Sequence, residues 1–224
     1  MDFLKRTAAP ITDEAWEEVD ELARTILKGN LSGRKVVDVD GPYGMETSAV
    51  NVGHVRVEEE QGRGGVSWGV REVLPLVELR VPFSLNIWEL DNVNRGSKTP
   101  ELESVEKAAS QAAAFEENAI YHGLSKACIE GITQKAEAES VTLPESADEF
   151  TDVVEEAVVR VQTAGIGGPY SLVLGTKPYQ MLMAGDKKGY PLRRRIEDIL
   201  GSDVKWSPVL EGGVLVSTRG GDYE

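Results

Sequence analysis

The sequence has little of the chemistry on which most enzymes depend. Its 224 residues include one cysteine, Cys128, and two histidines, His54 and His122. A single cysteine excludes an intramolecular disulfide framework and suits a reducing compartment such as the cytoplasm. The apolar neighbours of Cys128 predict a small buried hydrophobe rather than a reactive thiol. The two histidines are far apart in sequence and each lies beside a glycine, so we expect both to be structural or solvated and neither to hold a metal ion.

Motifs that identify hydrolases, metal enzymes and nucleotide-binding proteins are also missing. The sequence contains no HExxH, CxxC, P-loop or GxSxG, the spacings that place metal ligands, redox thiols, phosphate-binding amides or a nucleophilic serine. The glycine-rich stretch at 61–65 resembles half of a dinucleotide fingerprint. No helix is predicted to follow it, so it fails the structural test for a phosphate loop. We therefore expect a protein that is not an enzyme.

Basic residues and long apolar runs are scarce. The chain has 24 basic against 38 acidic residues, a formal net charge of −14. This argues against nucleic acid as a partner, because phosphate binding needs clustered basic side chains. No apolar run approaches the ~20 residues that span a bilayer, and residues 8–11 do not form a signal-peptide core. We predict a cytoplasmic protein with no membrane partner. The excess of acidic residues is explained most simply by solubility. The alternative is that it forms an acidic inner or outer wall that attracts cations.

Hydrophobic periodicity predicts an α+β fold. Thr12 can cap a helix whose apolar residues recur at spacings of three and four up to Gly29. A longer helix is predicted to open at Thr99-Pro100-Glu101 and to end near His122. The other predicted elements are a helix from the capping box at Ser146 to Gly165, a strand at 170–174, a helix from Thr176, a helix at 192–200 and a strand at 214–217.

Residues 52–73 are predicted to form a β-hairpin around the glycines at 61–65. Valines alternate with charged and polar residues along both arms, which is the pattern of a strand with one face against a surface. A two-stranded ribbon is marginal by itself. We therefore expect the hairpin to lie on a neighbouring subunit.

Several segments, taken in order along the chain, resemble a known family. They are residues 1–6, 33–44, 74–91, 95–96, 168–170, 189–192 and 217–222. Together they resemble the shell proteins of encapsulin nanocompartments, which are related to the major capsid proteins of HK97-type phages. The resemblance implies an HK97-like capsid fold of the α+β class. In it, 1–51 and 74–130 would form the peripheral domain, 52–73 the extended loop, 131–219 the axial domain and 220–224 the start of a return to the peripheral domain.

The resemblance implies a structural shell subunit that assembles with itself into an icosahedral compartment. The shell would enclose a cargo enzyme of the peroxidase or the ferritin-like iron-storage type, captured by a C-terminal targeting peptide. A phage-type capsid protein is the alternative, and a bacteriocin or hydrolase activity is less favoured. Family members continue for a few dozen residues past 221–222 with strands that return to the peripheral domain. We therefore expect uncovered strand edges and apolar faces in this sequence.

Three sets of site residues follow from the same resemblance. A cargo peptide would dock in an apolar groove at Ile26, Leu27, Arg34 and Asp38. Because Arg34 and Asp38 are four residues apart, they would share one face of a strand; pairing of the two with each other is the alternative.

A flavin, as FMN or riboflavin, would stack on Trp88, with Arg80 near its polar groups, although no cofactor is required. The alternative is that Trp88 buries area in a sheet. The third set is a polar loop around the five-fold pore, made of Asp186, Lys187, Lys188, Gly189 and Tyr190.

Overall fold

The computed structural model describes residues 5–57, 66–136, 139–185, 191–221 and 223. The helices in this part of the chain are α1 (Asp13–Asn30), α2 (Ile87–Asn94), α3 (Glu103–His122), α4 (Phe150–Thr163), α5 (Thr176–Ala184) and α6 (Leu192–Leu200). The strands are β1 (Ala49–Val57), β2 (Gly69–Pro75), β3 (Tyr170–Leu174), β4 (Lys205–Trp206) and β5 (Gly213–Ser217).

Helix α1 begins where its sequence predicts. The Thr12 hydroxyl accepts a hydrogen bond from the backbone N–H of Ala15 at 3.3 Å, which satisfies one of the free donors of the first turn. The apolar stripe of α1 packs against α2 and α3. The buried side chains of this contact are Ala15, Val19, Leu90, Leu102 and Val105.

Helix α3 is the longest of the described helices, but it starts later than predicted. Its first residue is Glu103, and Leu102 occupies the cap position without a side-chain cap. The predicted opening, with Thr99 as the cap and Pro100 as the first helical residue, is therefore wrong by three residues. Small buried residues, Ala108, Ala109 and Ala113, form one face of α3, which allows α1 to approach its backbone closely.

A three-stranded sheet with the order β4-β3-β5 lies at the centre of the region 139–219. Strand β3 pairs parallel to β4 and antiparallel to β5, and all five of its residues are buried. Its alternate side chains, such as Leu172 and Leu174, join the core formed by α4, α5 and α6. Val173 points to the other face, against Tyr121 of α3 and Ile132. The predictions for 170–174, 192–200 and 214–217 are confirmed, and β4 was missed.

The predicted hairpin is a two-stranded antiparallel ribbon that begins earlier than residue 52. It pairs Ala49 with Pro75 at its base and Val57 with Gly69 near its tip. Between Asn51 and Val55 the register shifts, with Gly53 in a left-handed conformation at φ 77°. Apart from Ala49, every residue of both strands is exposed. The glycine-rich tip lies outside the described residues.

Three other expectations about local structure are wrong. Arg34 and Asp38 do not lie on a strand, because Gly33–Lys35 is a 3-10 helix. Trp88 does not lie in a sheet but in α2, which Asn86 caps by accepting from the N–H of Trp88 at 3.0 Å. Cys128 is exposed rather than buried, with a left-handed backbone at φ 57°.

Candidate functional site

The four residues predicted to bind a cargo peptide lie at the end of α1 and in the segment that follows it. Ile26 and Leu27 occupy the last turns of α1 and are half-buried. Arg34 belongs to the 3-10 helix that comes after α1, and Asp38 lies in extended backbone beyond it. The predicted strand that would carry both Arg34 and Asp38 is absent from this segment.

Arg34 is anchored to α3 and not to Asp38. Its guanidinium pairs with both carboxylate oxygens of Glu116, with Nη2 at 2.8 Å from Oε2. This hydrogen-bonded pair raises the pKa of Arg34, against a smaller opposing effect of burial. The side chain remains 55% exposed, so the guanidinium is held in place while part of it still faces solvent.

Asp38 forms hydrogen bonds with the last described segment of the chain. Its carboxylate accepts a hydrogen bond from the N–H of Gly221 at 2.5 Å, and its own N–H donates to the carbonyl of Tyr223 at 2.8 Å. The alternative in which Arg34 and Asp38 pair with each other is therefore also wrong. The two residues bind different partners, on α3 and on the segment after β5.

A cleft of about 190 Å³ lies beside Asp38. One wall runs from Lys35, the last residue of the 3-10 helix, to Asp38, and the other is formed by the end of β5 and the segment after it. Ile26 and Leu27 are not among the residues that line it. The structure therefore places Asp38 in the wall of a cleft that the apolar pair on α1 does not line.

A buried polar cluster around Glu117 was not predicted. Glu117 is fully buried, and its carboxyl group accepts from Ser32 Oγ at 2.5 Å, from the N–H of Gly33 at 2.7 Å and from Ser207 Oγ at 2.7 Å. Tyr121 Oη lies 2.8 Å from Ser32 Oγ. Burial raises the pKa of the Tyr121 phenol, and the charge of Glu117 adds to this effect. The cluster joins α3 to the end of α1 and to the segment after β4.

A side chain at position 33 would crowd this cluster. A Cβ atom there would lie 2.7 Å from Ile120 Cδ1 and 3.1 Å from Glu117 Oε1. The first distance is shorter than real Cβ atoms tolerate. The close approach lets the backbone N–H of Gly33 reach the carboxyl group.

The predicted flavin residues lie on different parts of the chain. Trp88 is in the first turn of α2 and is 67% exposed, so the prediction that it is buried in a sheet is wrong. Arg80 lies in extended backbone and donates from Nε to Glu78 at 2.5 Å. Within the described ranges, no hydrogen bond or ring contact joins Arg80 to Trp88.

The predicted pore residues, Asp186, Lys187, Lys188, Gly189 and Tyr190, lie outside the described residues. Helix α5 ends before them and α6 begins after them. In the described part of the chain, no helix combines the length and the apolar character that a membrane span requires. Across the same ranges, no three histidine, cysteine, aspartate or glutamate side chains are grouped closely enough to hold a metal ion.

Comparisons with known proteins agree on one family. A family model described as "Encapsulating protein for peroxidase" matches residues 1–224. The chain is 41% identical over 225 residues to the type 1 encapsulin shell protein of Brevibacterium linens, a match that covers 100% of this chain and 84% of that protein. It is 38% identical over 224 residues to the type 1 encapsulin shell protein of Mycobacterium tuberculosis, with the same coverage of 100% and 84%.

A solved structure supports the predicted architecture. The crystal structure of a virus-like particle from Pyrococcus furiosus matches with a TM-score of 0.58 at 16% identity, and the match covers 91% of this chain and 79% of that chain. At this identity the similarity concerns the fold alone. It confirms the prediction of an α+β, HK97-like capsid fold.

Proposed function

Because this chain belongs to the family of type 1 encapsulin shell proteins, we propose that its copies assemble into a closed icosahedral shell around a cargo enzyme in the cytoplasm. Its relatives are named as shell proteins, so the chain is a structural subunit and not an enzyme. The partners would be further copies of the chain and the cargo protein, with neither nucleic acid nor membrane involved.

The exposed hairpin of β1 and β2 is the observation that carries the proposal. Its strands are exposed on both faces, and the large apolar side chains Val55, Val57, Trp68, Val70 and Val73 all face solvent. An isolated two-stranded ribbon is marginally stable in water. Several large apolar side chains that are exposed on one short ribbon indicate an interaction site. A neighbouring copy would cover the ribbon, which then acts as the extended loop between the two parts of the peripheral domain, 1–51 and 74–130.

The cargo would be a peroxidase or a ferritin-like iron-storage protein with a C-terminal targeting peptide. The family description names a peroxidase, which supports the first of these. We place the docking site at Ile26, Leu27, Arg34 and Asp38. The half-exposed guanidinium of Arg34, fixed by Glu116, is suited to bind a peptide carboxylate or carbonyl. The half-buried Ile26 and Leu27 would supply the apolar contact.

A flavin would be an accessory ligand and not a requirement. The exposed indole of Trp88 offers a face for stacking, so this residue fits an isoalloxazine ring. The pairing of Arg80 with Glu78 fits less well, because the guanidinium already has a carboxylate partner. Flavin absorbance in purified shells that is lost in Trp88→Ala would support the site, and shells that retain no added flavin would argue against it.

The shell itself is tested by purification followed by negative-stain microscopy and light scattering, with mass spectrometry of the proteins that copurify. We expect closed particles and a copurifying enzyme. Monomers or small oligomers would contradict assembly. Particles filled with DNA would instead favour a phage-type capsid protein.

A further inference from the structure

The buried carboxyl group of Glu117 is bound by neutral groups. The donors that the structure shows for it are the hydroxyls of Ser32 and Ser207 and the backbone N–H of Gly33. Removing a carboxylate from water is costly, and an apolar side chain of similar size would fill the same space without that cost. The role of Glu117 therefore lies in the donors that it holds and in the directions that it imposes on them.

Two of these donors belong to the segment that follows α1. The hydroxyl of Ser32 donates to Glu117 Oε2 at 2.5 Å, and the N–H of Gly33 donates to Oε1 at 2.7 Å. Because the proton of Ser32 points to Glu117, the phenol of Tyr121, at 2.8 Å, is the donor to Ser32 Oγ. The two oxygens of one carboxyl group therefore fix two successive residues, and the backbone at Gly33 is held directly.

The next residue, Arg34, is fixed by the neighbouring carboxyl group of α3. Its guanidinium donates from Nε and Nη2 to the two oxygens of Glu116, and the second of these bonds measures 2.8 Å. The side chain is still 55% exposed. Glu117 thus holds the backbone just before Arg34, while Glu116 holds its side chain. A guanidinium that is fixed in both ways loses less entropy when it binds a peptide.

The third donor comes from the predicted axial domain, 131–219. Ser207 follows β4, and its hydroxyl donates to Glu117 Oε2 at 2.7 Å. Its own N–H donates to the carbonyl of Leu174, the last residue of β3, at 2.9 Å. A continuous series of hydrogen bonds therefore connects the end of the central strand, through Glu117, to the backbone beside Arg34.

We propose that Glu117 and Ser207 are positioning residues of the cargo-docking site. They hold the backbone of 32–34 so that Arg34 presents its guanidinium in the orientation that a cargo peptide binds. This inference rests on the proposed function, which places Arg34 in the docking site. Neither positioning residue touches the peptide, because both are fully buried. The docking site then has its binding geometry only while the axial domain is packed on α3, so the chain captures cargo as a folded subunit.

Removal of one hydroxyl tests the role of Ser207. The probe is the enzyme that copurifies with wild-type shells, coexpressed with each variant chain. Ser207→Ala keeps the backbone bond to Leu174, so shells should form, but hydrogen exchange of the backbone at 31–37 should rise. The cargo-to-shell ratio should fall by about three- to tenfold, because a hydrogen bond to a charged group is lost and the site is less preorganised. Tyr121→Phe removes only the donor to Ser32 and is the second variant, with the same expected direction.

Ser202→Ala is the matched control. It removes a hydroxyl that donates to the carbonyl of Tyr170 at 2.7 Å, also within 131–219 but outside the Glu117 cluster, and it should load normally. An equal loss of cargo in Ser202→Ala would show a general effect of lower stability and would overturn the positioning role. Normal loading of both test variants, or unchanged exchange at 31–37, would also overturn it and leave the proposed function standing. Wild-type shells without a copurifying enzyme would overturn the proposed cargo capture and this inference with it.

Discussion

The carboxyl group of Glu117 accepts a hydrogen bond of 2.7 Å from the hydroxyl of Ser207, which lies 90 residues further along the chain. Glu117 belongs to α3, whereas Ser207 follows β4. The same group accepts from Ser32 and from the N–H of Gly33 at the end of α1. One buried side chain therefore joins α3 to the predicted axial domain and to the segment that leads from α1 to Arg34.

Replacing Glu117 with leucine should lower the free energy of unfolding by about 3 kcal/mol, because three buried donors lose their acceptor. Glutamine keeps one acceptor oxygen, so Glu117→Gln should cost less. Urea unfolding followed by tryptophan fluorescence measures both. Glu116→Gln, at the preceding residue of the helix, is the matched control. Because the ion pair of Glu116 with Arg34 is half-exposed, its loss should lower the free energy of unfolding by less than about 1 kcal/mol. Equal losses at 116 and 117 would contradict the special role of Glu117.

The sequence indicates that Glu117 is buried, but it does not indicate which residues bind it. Ala109, Ala113, Glu117 and Tyr121 recur every four residues, which places Glu117 on the buried face of α3. A carboxyl group in an apolar stripe indicates a buried polar contact. Ser32 and Ser207, however, lie in connecting segments. Their approach to α3 depends on long-range packing, which periodicity does not encode.

The same reasoning explains which elements were predicted well. Helices α1 and α6 have complete apolar stripes and clear ends, so their predicted bounds agree with the structure. The valines at 36, 37 and 39 indicate a strand by propensity, but the bond from Gly33 to Glu117 fixes a 3-10 turn just before them. Strand β4 has two residues and exists only through its parallel pairing with β3. No local pattern could identify it.

Alanine substitutions at two glycines near the end of α1 should change the stability of the fold in opposite directions. At Gly33 an added Cβ would lie 2.7 Å from Ile120 Cδ1 and 3.1 Å from Glu117 Oε1, so Gly33→Ala should destabilise the fold by about 1–3 kcal/mol. At Gly29 nothing lies within 4 Å of the added atom, and the residue is helical. Gly29→Ala should therefore stabilise by about 0.5–1 kcal/mol. Thermal unfolding of both variants checks the signs; a neutral Gly33→Ala would show that the Ser32–Glu117 cluster is loosely packed.

A chain without the outer part of the hairpin should still fold but should no longer assemble into shells. Deletion of residues 56–70 removes the outer part of the exposed hairpin, whose described residues, 56–57 and 66–70, do not belong to the buried cores around β3 and α3. We expect the remaining chain to keep its helical circular dichroism and cooperative unfolding but to form no closed shells. Light scattering and microscopy measure the particles. Shells of normal size from the deleted chain would show that the hairpin does not link copies.

Cargo docking should fail when the apolar contact or the guanidinium is removed. Leu27→Asp places a charge on the half-buried end of α1, and Arg34→Ala leaves Glu116 without its partner. Each should lower cargo loading by about tenfold, because a few anchoring residues carry most of the energy of an interface. The cargo-to-shell ratio in purified particles measures this. Thr25→Asp adds the same charge at an exposed position of α1 and should load normally; undiminished cargo in both test variants would refute the site.

The loop at 186–190 should set the charge of the five-fold pore. Each copy would contribute one aspartate and two lysines, and symmetry multiplies this excess of positive charge around the axis. Such a ring slows cations and admits small anions, so Lys187→Glu combined with Lys188→Glu should speed the entry of a small cation into assembled shells. The assay needs low salt, because screening limits the effect to about 8 Å at physiological ionic strength. Lys177→Glu is the control for a change in overall charge. If both variants admit the cation at the wild-type rate, the loop does not line the channel through which the cation passes.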